Sequence, residues 1–252
     1  YILIKNIIFM EYILIIGAKS ELAKNIADIY ASKGYSLYLT GRDIQSLSKF
    51  SETLVSNYGV NVKLINLDLN QYDTHKTFLK ELETLPLGII CATGYYPNQL
   101  KAQIETNEML NSMTANLIGP VSIINYLVEK MSRIKKGFIV GISSVSGERG
   151  RKKNYIYGSA KSGFTTFLSG LRNDLFDQNI HVMTVILGFI SDGTESGFIK
   201  KMLSTKPRDV AETIVRNQIK CKDVIYVKWY WRYIMFFIKN IPEFIFKRID
   251  IK

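Results

Sequence analysis

The stretch YILIIGAKSELAKNIADIYASKG, residues 12–34, contains the unit on which the fold prediction depends. It begins with a continuous apolar run that ends at Gly17, which is typical of a β-strand buried on both faces. The remainder has helical spacing, because Leu22 and Ile26 fall on one side of a helix. Gly34 is a typical C-terminal stop for such a helix. The stretch therefore predicts a buried strand followed by an amphipathic helix.

The same alternation of strand and helix continues along the chain. Further strands are predicted at 35–42, 61–69, 87–94, 137–144, 181–188 and 223–229, and helices at 43–59, 73–83, 107–131, 155–177 and 207–220. Strands without polar alternation need helices on both faces, so we predict an α/β fold with a doubly wound (Rossmann-like) parallel sheet in a single domain. Ligands of such sheets bind beyond the carboxyl ends of the strands.

Composition limits the class of protein further. The chain has 252 residues, of which 47% are hydrophobic and 22% charged, which is ordinary for one globular domain. The formal net charge of +11 favours phosphate-bearing ligands, acidic lipid surfaces or nucleic acid as partners. Cys91 and Cys221 lack metal-type spacing, so we expect a reduced, cytoplasmic protein without a metal site. Residues 1–9, ahead of Met10, are too short to span a membrane and are an N-terminal extension of uncertain status.

The turn after the first strand is a candidate phosphate site. A dinucleotide phosphate would rest on the N-terminus of the following helix, where backbone amides and the helix dipole favour an anion. The glycine pattern is thin, however, because Glu21 and Ala23 stand where further glycines are usual. The turn is therefore either a cofactor site or an ordinary tight turn that opens an α/β helix.

The end of the second strand bears on the choice of cofactor. Arg42 stands where an acidic residue would contact the adenosine ribose, and its guanidinium could instead pair with a 2′-phosphate. Lys19 adds positive charge, so NADP(H) is favoured over NAD(H), unless both cations are merely solvated. Asp43 is a good N-cap for the next helix. Asp68 could accept a hydrogen bond from the adenine amino group, or cap the helix that follows it.

The catalytic candidate is the stretch NYIYGSAK, residues 154–161. Tyr157 and Lys161 lie one helical turn apart on the same face, with only small residues between them. An ammonium beside a phenol should lower the phenol pKa and give a proton donor suited to a ketone and its alcohol. Ser144 ends a predicted strand and could face the helix across a site. Alone, the Tyr–Lys pair could equally be an ordinary surface pair.

Together these motifs resemble the short-chain dehydrogenase/reductase family. The matching stretches are GAKSELA, TGR, LDL, ATG, TANLIGP, ISSVSG, YGSAK and LGFI, within residues 12–190. The resemblance implies that Ser144 orients the carbonyl, that Tyr157 is the acid/base and that Lys161 tunes Tyr157 and holds the cofactor ribose. Asn116 would support a proton-relay water. The implied cofactor-binding residues are Gly17, Lys19, Ser20, Glu21, Leu22, Arg42, Asp68, Leu69, Ala92, Thr93, Gly94, Tyr157, Lys161, Gly188 and Ile190.

The chain departs from the family pattern in several places. Glu21 and Ala23 replace glycines, and Leu187 replaces the usual Pro. Asp192 stands near the usual Thr that contacts the nicotinamide amide, and an ionised carboxylate cannot donate that hydrogen bond. These departures bear on two expected contacts: the approach of the cofactor phosphate to the turn after the first strand, and the hydrogen bond to the nicotinamide amide.

A narrower resemblance involves residues 142–175 and 229–249. These stretches are similar to a bacterial subgroup around decaprenylphosphoryl-2-keto-ribose reductase, which reduces a keto-sugar on a polyprenyl phosphate after a flavin oxidase has made the ketone. The resemblance implies an NAD(P)H-dependent ketoreductase for a lipid-linked or other keto-sugar, a flavin oxidase partner and a role in cell-envelope polysaccharide biosynthesis. The alternatives are a reductase of an unrelated small carbonyl compound and a non-catalytic, cofactor-binding regulatory protein. We expect a homo-oligomer, either a dimer or a tetramer.

The predicted organisation is a reductase domain over 10–228 and an aromatic, basic C-terminal segment over 229–252. Pro242 breaks any single long helix in that segment, and its Lys and Arg residues argue against a membrane-spanning helix. The segment either packs on the domain or a second subunit, or lies on an anionic lipid surface at the cytoplasmic face. Nucleic-acid binding is disfavoured because no binding module is recognised.

A basic run precedes the catalytic candidate. Its cations are Arg149, Arg151, Lys152 and Lys153. They either grip a phosphate on the substrate or form a solvated loop.

Overall fold

A computed structural model describes residues 11–191 and 202–250. The predicted extension 1–9 and the departure at Asp192 lie outside these residues. The described strands form a seven-stranded parallel sheet in the order β3-β2-β1-β4-β5-β6-β9, with a separate β7-β8 pair. Because the order reverses beside β1, the sheet is doubly wound, which confirms the predicted fold class.

Continuous apolar runs form the strands of the main sheet. Its strands are β1 (Tyr12–Ile16), β2 (Ser36–Gly41), β3 (Val62–Asn66), β4 (Gly88–Cys91), β5 (Gly137–Ser144), β6 (Ile180–Leu187) and β9 (Val224–Tyr226). The short pair consists of β7 (Phe189–Ile190) and β8 (Ser204–Thr205). Every residue of β1 is buried, with Ile13 in one core layer and Leu14 in the other. This two-sided burial is the reason why the strand lacks polar alternation.

Helices cover both faces of the sheet. They are α1 (Glu21–Ser32), α2 (Ser48–Tyr58), α3 (Tyr72–Phe78), α4 (Gln99–Ile104), α5 (Thr106–Met113), α6 (Gly119–Ile134), α7 (Tyr155–Asp174), α8 (Pro207–Ile219), α9 (Tyr230–Asn240) and α10 (Glu243–Phe246). The first helix ends as predicted, because Gly34 takes a positive φ of 86° just beyond it.

The long helix predicted over 107–131 is wrong in one respect, since it is interrupted. A π-helical turn, Thr114–Ile118, separates α5 from α6. The Asn116 amide lies in this turn and donates to the Ser112 carbonyl at 2.9 Å and to the Tyr95 carbonyl at 2.7 Å. Because a side chain takes part in local backbone bonding there, the regular helical ladder is disturbed.

The predicted N-cap at Asp43 is also wrong. A 3₁₀ turn, Gln45–Leu47, precedes α2, and no side chain caps that helix. The Asp43 carboxylate instead accepts a hydrogen bond from Lys19 Nζ at 2.8 Å, across the turn after β1. This partner is 24 residues distant in sequence, and hydrogen bonding from the Ser46 backbone adds to its effect in lowering the Asp43 pKa.

The C-terminal segment packs against the domain with one face. Trp231 and Met235 of α9 are buried in a cluster with Val145 and Ile186. Pro242 separates α9 from α10, as predicted. None of the helices within 11–191 and 202–250 combines the length and apolarity that crossing a bilayer requires.

Candidate active site

The carboxyl ends of β1, β4, β5 and β6 converge on one edge of the sheet, and two cavities lie along that edge. The first, the cofactor cleft, has a volume of about 520 Å³ and follows the ends of β1, β2, β3 and β4. The second, the catalytic pocket, has a volume of about 390 Å³ and lies between the end of β5, α7 and the segment after β6.

Tyr157, Ser144 and Lys161 are brought together as predicted from the sequence. Tyr157 lies near the start of α7, and Ser144 ends β5; both line the catalytic pocket. Lys161 follows one turn later, with its Nζ 5.9 Å from the centroid of the Tyr157 ring. The helix approaches the turn after β5 so closely that a Cβ on Gly158 would lie only 2.6 Å from the Ser146 carbonyl oxygen.

Lys161 is buried and is held by backbone oxygens. Its ammonium donates to the Ile142 carbonyl at 3.0 Å and to the Thr93 carbonyl at 3.2 Å. Burial lowers the pKa of Lys161 to about 8, because the charged form has lost its hydration. The residue is thus fixed between β5 and the segment that follows β4.

The predicted fall in the Tyr157 pKa is wrong for the protein as described. Burial raises the pKa of Tyr157 to about 12, and hydrogen bonding with the Ser144 hydroxyl opposes that rise only in part. The Lys161 ammonium points at two carbonyls rather than at the phenol oxygen. Tyr157 is therefore a neutral phenol at physiological pH, the form that can donate a proton.

Asn116 lies behind the residues that line the catalytic pocket. Its side chain is fully buried, and its Oδ1 accepts from the Tyr95 amide at 3.2 Å while Nδ2 donates to the Tyr95 carbonyl. These two bonds fix the loop that follows β4. The Asn116 side chain itself does not line the catalytic pocket.

The cofactor cleft has the close backbone approach that a dinucleotide needs. Gly17 takes a φ of 83°, and a Cβ there would lie 3.0 Å from Thr93 Cγ2, so a larger residue would be strained and would fill the cradle. Ser20 caps α1 by accepting from the Ala23 amide at 3.1 Å. The turn and helix N-terminus therefore fit a pyrophosphate although two glycines of the usual pattern are absent.

Arg42 and Lys19 line the adenosine end of the cleft, but they differ in their partners. Lys19 pairs with Asp43, and both side chains are exposed. The hydrogen bond from Lys19 holds the pKa of Asp43 below its usual value. Arg42 is in no ion pair within the described part of the chain. Of these two cations in the cleft lining, Arg42 is the one without an ion-pair partner among the described residues.

The remaining predicted cofactor residues divide into two groups. Asp68, Leu69, Ala92, Thr93 and Gly94 line the cleft. Glu21 and Leu22 do not, because Glu21 pairs with Lys24 on the exposed side of α1 and Leu22 packs in the core. Asp68 also holds its own loop, since its Oδ1 accepts from the Asn70 amide at 3.0 Å, so it does not cap α3.

Gly188 and Ile190 line the catalytic pocket rather than the cofactor cleft. A Cβ on Gly188 would collide with the indole of Trp231, which the C-terminal segment places against the end of β6. That close approach explains why glycine is needed at this position.

Sequence reasoning missed Tyr96, Ser146 and Asn154, which also line the catalytic pocket. The Tyr96 ring lies 4.9 Å from the Tyr157 ring, centroid to centroid. A signal was available for Tyr96, because it follows the end of β4 by a few residues and ligands bind at such ends. Ser146 and Asn154 have no comparable signal, since their positions depend on how the 145–154 loop folds back.

Comparison with known proteins identifies the family. The profile described as short chain dehydrogenase matches residues 11–201, about three quarters of the chain. The chain belongs to the short-chain dehydrogenase family. It is therefore an NAD(P)-dependent oxidoreductase, and the family resemblance predicted from the sequence is confirmed.

Relatives of this short-chain dehydrogenase are distant in sequence. An uncharacterized oxidoreductase of Mycobacterium tuberculosis is 26% identical over 240 residues, covering 94% of this chain and 96% of its own length. Among solved structures, a bulky-bulky ketone specific alcohol dehydrogenase from Comamonas testosteroni is 20% identical, with a TM-score of 0.79 and coverage of 92% and 95%. A short-chain dehydrogenase from Sphingobium yanoikuyae in complex with NADPH is 19% identical, with a TM-score of 0.79 and coverage of 92% and 97%. At these identities the two structures show the shared fold.

A further cavity lies at the opposite edge of the sheet, near the start of β5 and β6, and is remote from the residues above. In the described ranges, no three His, Cys, Asp or Glu side chains are grouped so that they could hold a metal ion.

Proposed function

We propose that this enzyme is an NADP(H)-dependent ketoreductase in which Tyr157 donates the proton to a ketone oxygen. The observation that carries the proposal is the meeting of Ser144, Tyr157 and Lys161 at the catalytic pocket, beside a cleft that fits a dinucleotide. A regulatory protein without catalysis would have no need of a buried lysine at this place, since burying an ammonium costs free energy.

Each residue has a distinct part in the proposed reaction. A nicotinamide held in the cofactor cleft would supply the hydride. The Ser144 hydroxyl orients the ketone oxygen, and the neutral Tyr157 phenol gives it a proton. Lys161, held by two carbonyls, offers its charge to the resulting phenolate and a donor to the cofactor ribose. Asn116 keeps the loop after β4 in position and supports the water that returns a proton.

The proposed preference for NADP(H) rests on Arg42. Its guanidinium lines the adenosine end of the cleft and has a fork geometry that suits a 2′-phosphate. The structural neighbour from Sphingobium yanoikuyae also holds NADPH. NAD(H) remains the alternative cofactor, because Asp43 lies at the same end of the cleft and a carboxylate suits a free ribose.

The proposed substrate is a keto-sugar, with a sugar linked to polyprenyl phosphate as the specific candidate. One supporting feature is the contact between the C-terminal segment and the basic run ahead of α7, part of which lines the catalytic pocket. Arg149 Nη1 donates to the Lys239 carbonyl at 2.9 Å, and Nη2 pairs with Glu243 at 2.7 Å. The Lys153 ammonium lies 3.7 Å from the Asp250 carboxylate. A substrate with this chemistry needs a ketone-forming enzyme before it, for which a flavin oxidase is the proposed partner.

The C-terminal segment also has an outer face that suits an anionic lipid surface. Trp229, Phe236 and Phe237 are 73%, 61% and 68% exposed, on the side of α9 opposite to its packed face. Lys and Arg side chains are interspersed with them, and such mixtures bind at the headgroup level. The two interpretations of the segment therefore combine: one face packs on the domain, and the other is proposed to contact the cytoplasmic leaflet.

Liposome co-sedimentation tests the membrane contact. The double variant Phe236→Ser/Phe237→Ser should reduce sedimentation with anionic vesicles, because two exposed rings lose their apolar burial. The control is Leu100→Ser/Ile104→Ser, which removes two apolar side chains of α4 that are even more exposed than the two rings. Wild-type protein that stays in the supernatant with anionic vesicles at low salt contradicts this part of the proposal.

The ketoreductase function is tested by NADPH oxidation. Purified enzyme is mixed with NADPH and a panel of ketones that includes phosphorylated and free keto-sugars. Ketone-dependent oxidation supports the function. Tight NADPH binding without oxidation by any ketone would instead favour the regulatory alternative.

A further inference from the structure

The four cations that precede the catalytic helix have different environments. Arg149 is turned toward the C-terminal segment, where it pairs with Glu243 and stacks on the Phe246 ring at 4.1 Å. Lys153 pairs loosely with Asp250. Lys152 is exposed and does not line the catalytic pocket. Arg151 alone is buried, with 9% of its surface exposed, and it lines the pocket.

Arg151 is also incompletely satisfied. Its Nη2 donates to Ser146 Oγ at 3.0 Å, which is a neutral partner. Its Nε is buried and has no hydrogen-bond partner among the described residues, and no carboxylate in those ranges forms an ion pair with it. Burial lowers the pKa of Arg151, yet a guanidinium keeps its charge in proteins. Among residues 11–191 and 202–250, this buried positive charge therefore has no anionic partner.

The groups around Arg151 are arranged for a further acceptor. Ser146 Oγ already accepts from Arg151 and, at 3.1 Å, from Asn154 Nδ2. The Ser146 hydroxyl hydrogen is therefore left to donate to a third group. Lys153 lines the same pocket and adds a second positive charge. Such donors and cations, with the catalytic Ser144 and Tyr157 in the same cavity, suit a ligand that carries negative oxygens.

A buried, unpaired charge is costly, and proteins retain one where it has a task. A purely structural role for Arg151 needs only its single bond to Ser146, which a neutral side chain could make without that cost. A ligand anion would supply the missing partner each time the substrate binds. The anion would enter beside Tyr157, so it must belong to the molecule whose ketone is reduced.

We propose that Arg151 binds an oxyanion group of the substrate, a phosphate ester or a carboxylate, while the ketone carbon lies at Ser144 and Tyr157. This inference rests on the proposed ketoreductase function. Arg151 sets substrate specificity: anionic ketones are preferred to neutral ketones of the same shape. The planar fork of the guanidinium can bind two oxygens of the group at once.

The kinetic test uses a matched pair of ketones, dihydroxyacetone phosphate and dihydroxyacetone. Wild-type enzyme should reduce the phosphorylated ketone with a higher kcat/KM. Arg151→Gln should lower that kcat/KM by about 10- to 100-fold, mainly through KM, because a hydrogen-bonded charge is lost. The same variant should lower kcat/KM for dihydroxyacetone by a clearly smaller factor, because the neutral ketone has no oxyanion contact to lose. Arg151→Lys keeps the charge without the fork, so its loss should be intermediate.

The matched control is Lys152→Gln, which removes one positive charge from the neighbouring exposed position. Lys152→Gln should leave kcat/KM unchanged for both ketones. If net charge alone mattered, Lys152→Gln and Arg151→Gln would lower kcat/KM by the same factor. Circular dichroism melting of each variant shows whether it has folded. Equal kcat/KM for the two ketones in wild-type enzyme, or equal losses in Arg151→Gln and Lys152→Gln, would overturn the inference.

Calorimetric titration separates this inference from the ketoreductase function. Methyl phosphate and acetate are titrated into enzyme saturated with NADP⁺, which excludes them from the cofactor phosphate sites. Binding of one of them that is lost in Arg151→Gln and kept in Lys152→Gln supports the anion site even if neither ketone is reduced. Whichever of the two probes binds more tightly shows whether the site prefers a phosphate ester or a carboxylate. If wild-type enzyme binds neither, or if Arg151→Gln binds both as well as wild type does, Arg151 is not the site.

Discussion

The positive charges at the two ends of the active-site edge contrast sharply in environment. At the adenosine end, Lys19 is exposed and pairs with the exposed Asp43 at 2.8 Å. At the catalytic end, Lys161 and Arg151 are 3% and 9% exposed, and their hydrogen bonds go to carbonyl and hydroxyl oxygens. Neither has an ion pair among residues 11–191 and 202–250.

The comparison shows that the molecule keeps buried, unpaired positive charges at the catalytic end, although they lower its free energy of unfolding. An exposed ion pair contributes little, because water already solvates both partners. A buried cation without a counter-ion is unfavourable, so Lys161 and Arg151 are expected to matter for ligands and chemistry more than for folding. Substitutions at the catalytic end should therefore have large effects on turnover, and those at the adenosine end smaller effects on cofactor choice.

The largest effect is expected for Tyr157→Phe. The ring is kept while the proton donor is removed, so kcat for ketone reduction should fall by about 10²–10⁴-fold. NADPH affinity, measured by fluorescence titration, should stay near that of wild type. Turnover close to that of wild type would show that Tyr157 is not the proton donor. It would also contradict the expectation that substitutions at the catalytic end have the larger effect.

The pH dependence gives the next largest effect. Burial lowers the pKa of Lys161 to about 8, so the ammonium is present below that pH and is lost above it. Log kcat/KM for ketone reduction should therefore be level below about pH 8 and fall by about tenfold per pH unit above it. A profile that stays level to pH 10 would show that the charge on Lys161 is not required.

At the adenosine end, Arg42→Ala should weaken NADPH binding by about tenfold, because a charged hydrogen-bond donor to the 2′-phosphate is lost. NADH binding should change little. The dissociation constants of both cofactors are measured for both proteins. Equal weakening of the two would mean that Arg42 does not read the 2′-phosphate.

The smallest effect is expected for Asp43→Asn. Removing the carboxylate releases Lys19 and takes a negative charge away from the cleft, so NADPH should bind about 2- to 5-fold more tightly. Glu129→Gln breaks a comparable exposed ion pair on α6 and is the control. Weaker NADPH binding in Asp43→Asn would indicate that the carboxylate itself contacts the cofactor, as expected for an NAD(H) site.

Local patterns predicted much of this structure, and long-range contacts account for the rest. Strand β1 and the end of α1 at Gly34 follow from apolar runs and glycine placement, and the Tyr157–Lys161 pair follows from helical spacing. The Lys19–Asp43 pair, by contrast, joins residues 24 positions apart, so no local signal revealed it. The predicted cap failed because the chain after Asp43 first forms the 3₁₀ turn Gln45–Leu47, so that α2 starts only at Ser48.

The electrostatics of the site were the least predictable part. Residue spacing indicated that Lys161 is near Tyr157, but not that its ammonium points at the carbonyls of Thr93 and Ile142. The direction of the Tyr157 pKa shift followed from burial, which depends on the whole pocket. In the same way, the basic run showed four cations without showing that Arg151 alone is buried.

Following the transferred hydrogen tests most directly whether this site reduces a ketone with Tyr157 as the proton donor. Enzyme is incubated with NADPH deuterated at the transferable position and with the ketone panel, dihydroxyacetone phosphate included, and the alcohols are analysed by mass spectrometry. We predict deuterium on the carbinol carbon with wild-type enzyme, and formation of the labelled alcohol about 10²–10⁴-fold slower with Tyr157→Phe. No labelled alcohol from any ketone, or labelling by Tyr157→Phe at the wild-type rate, would contradict this assignment.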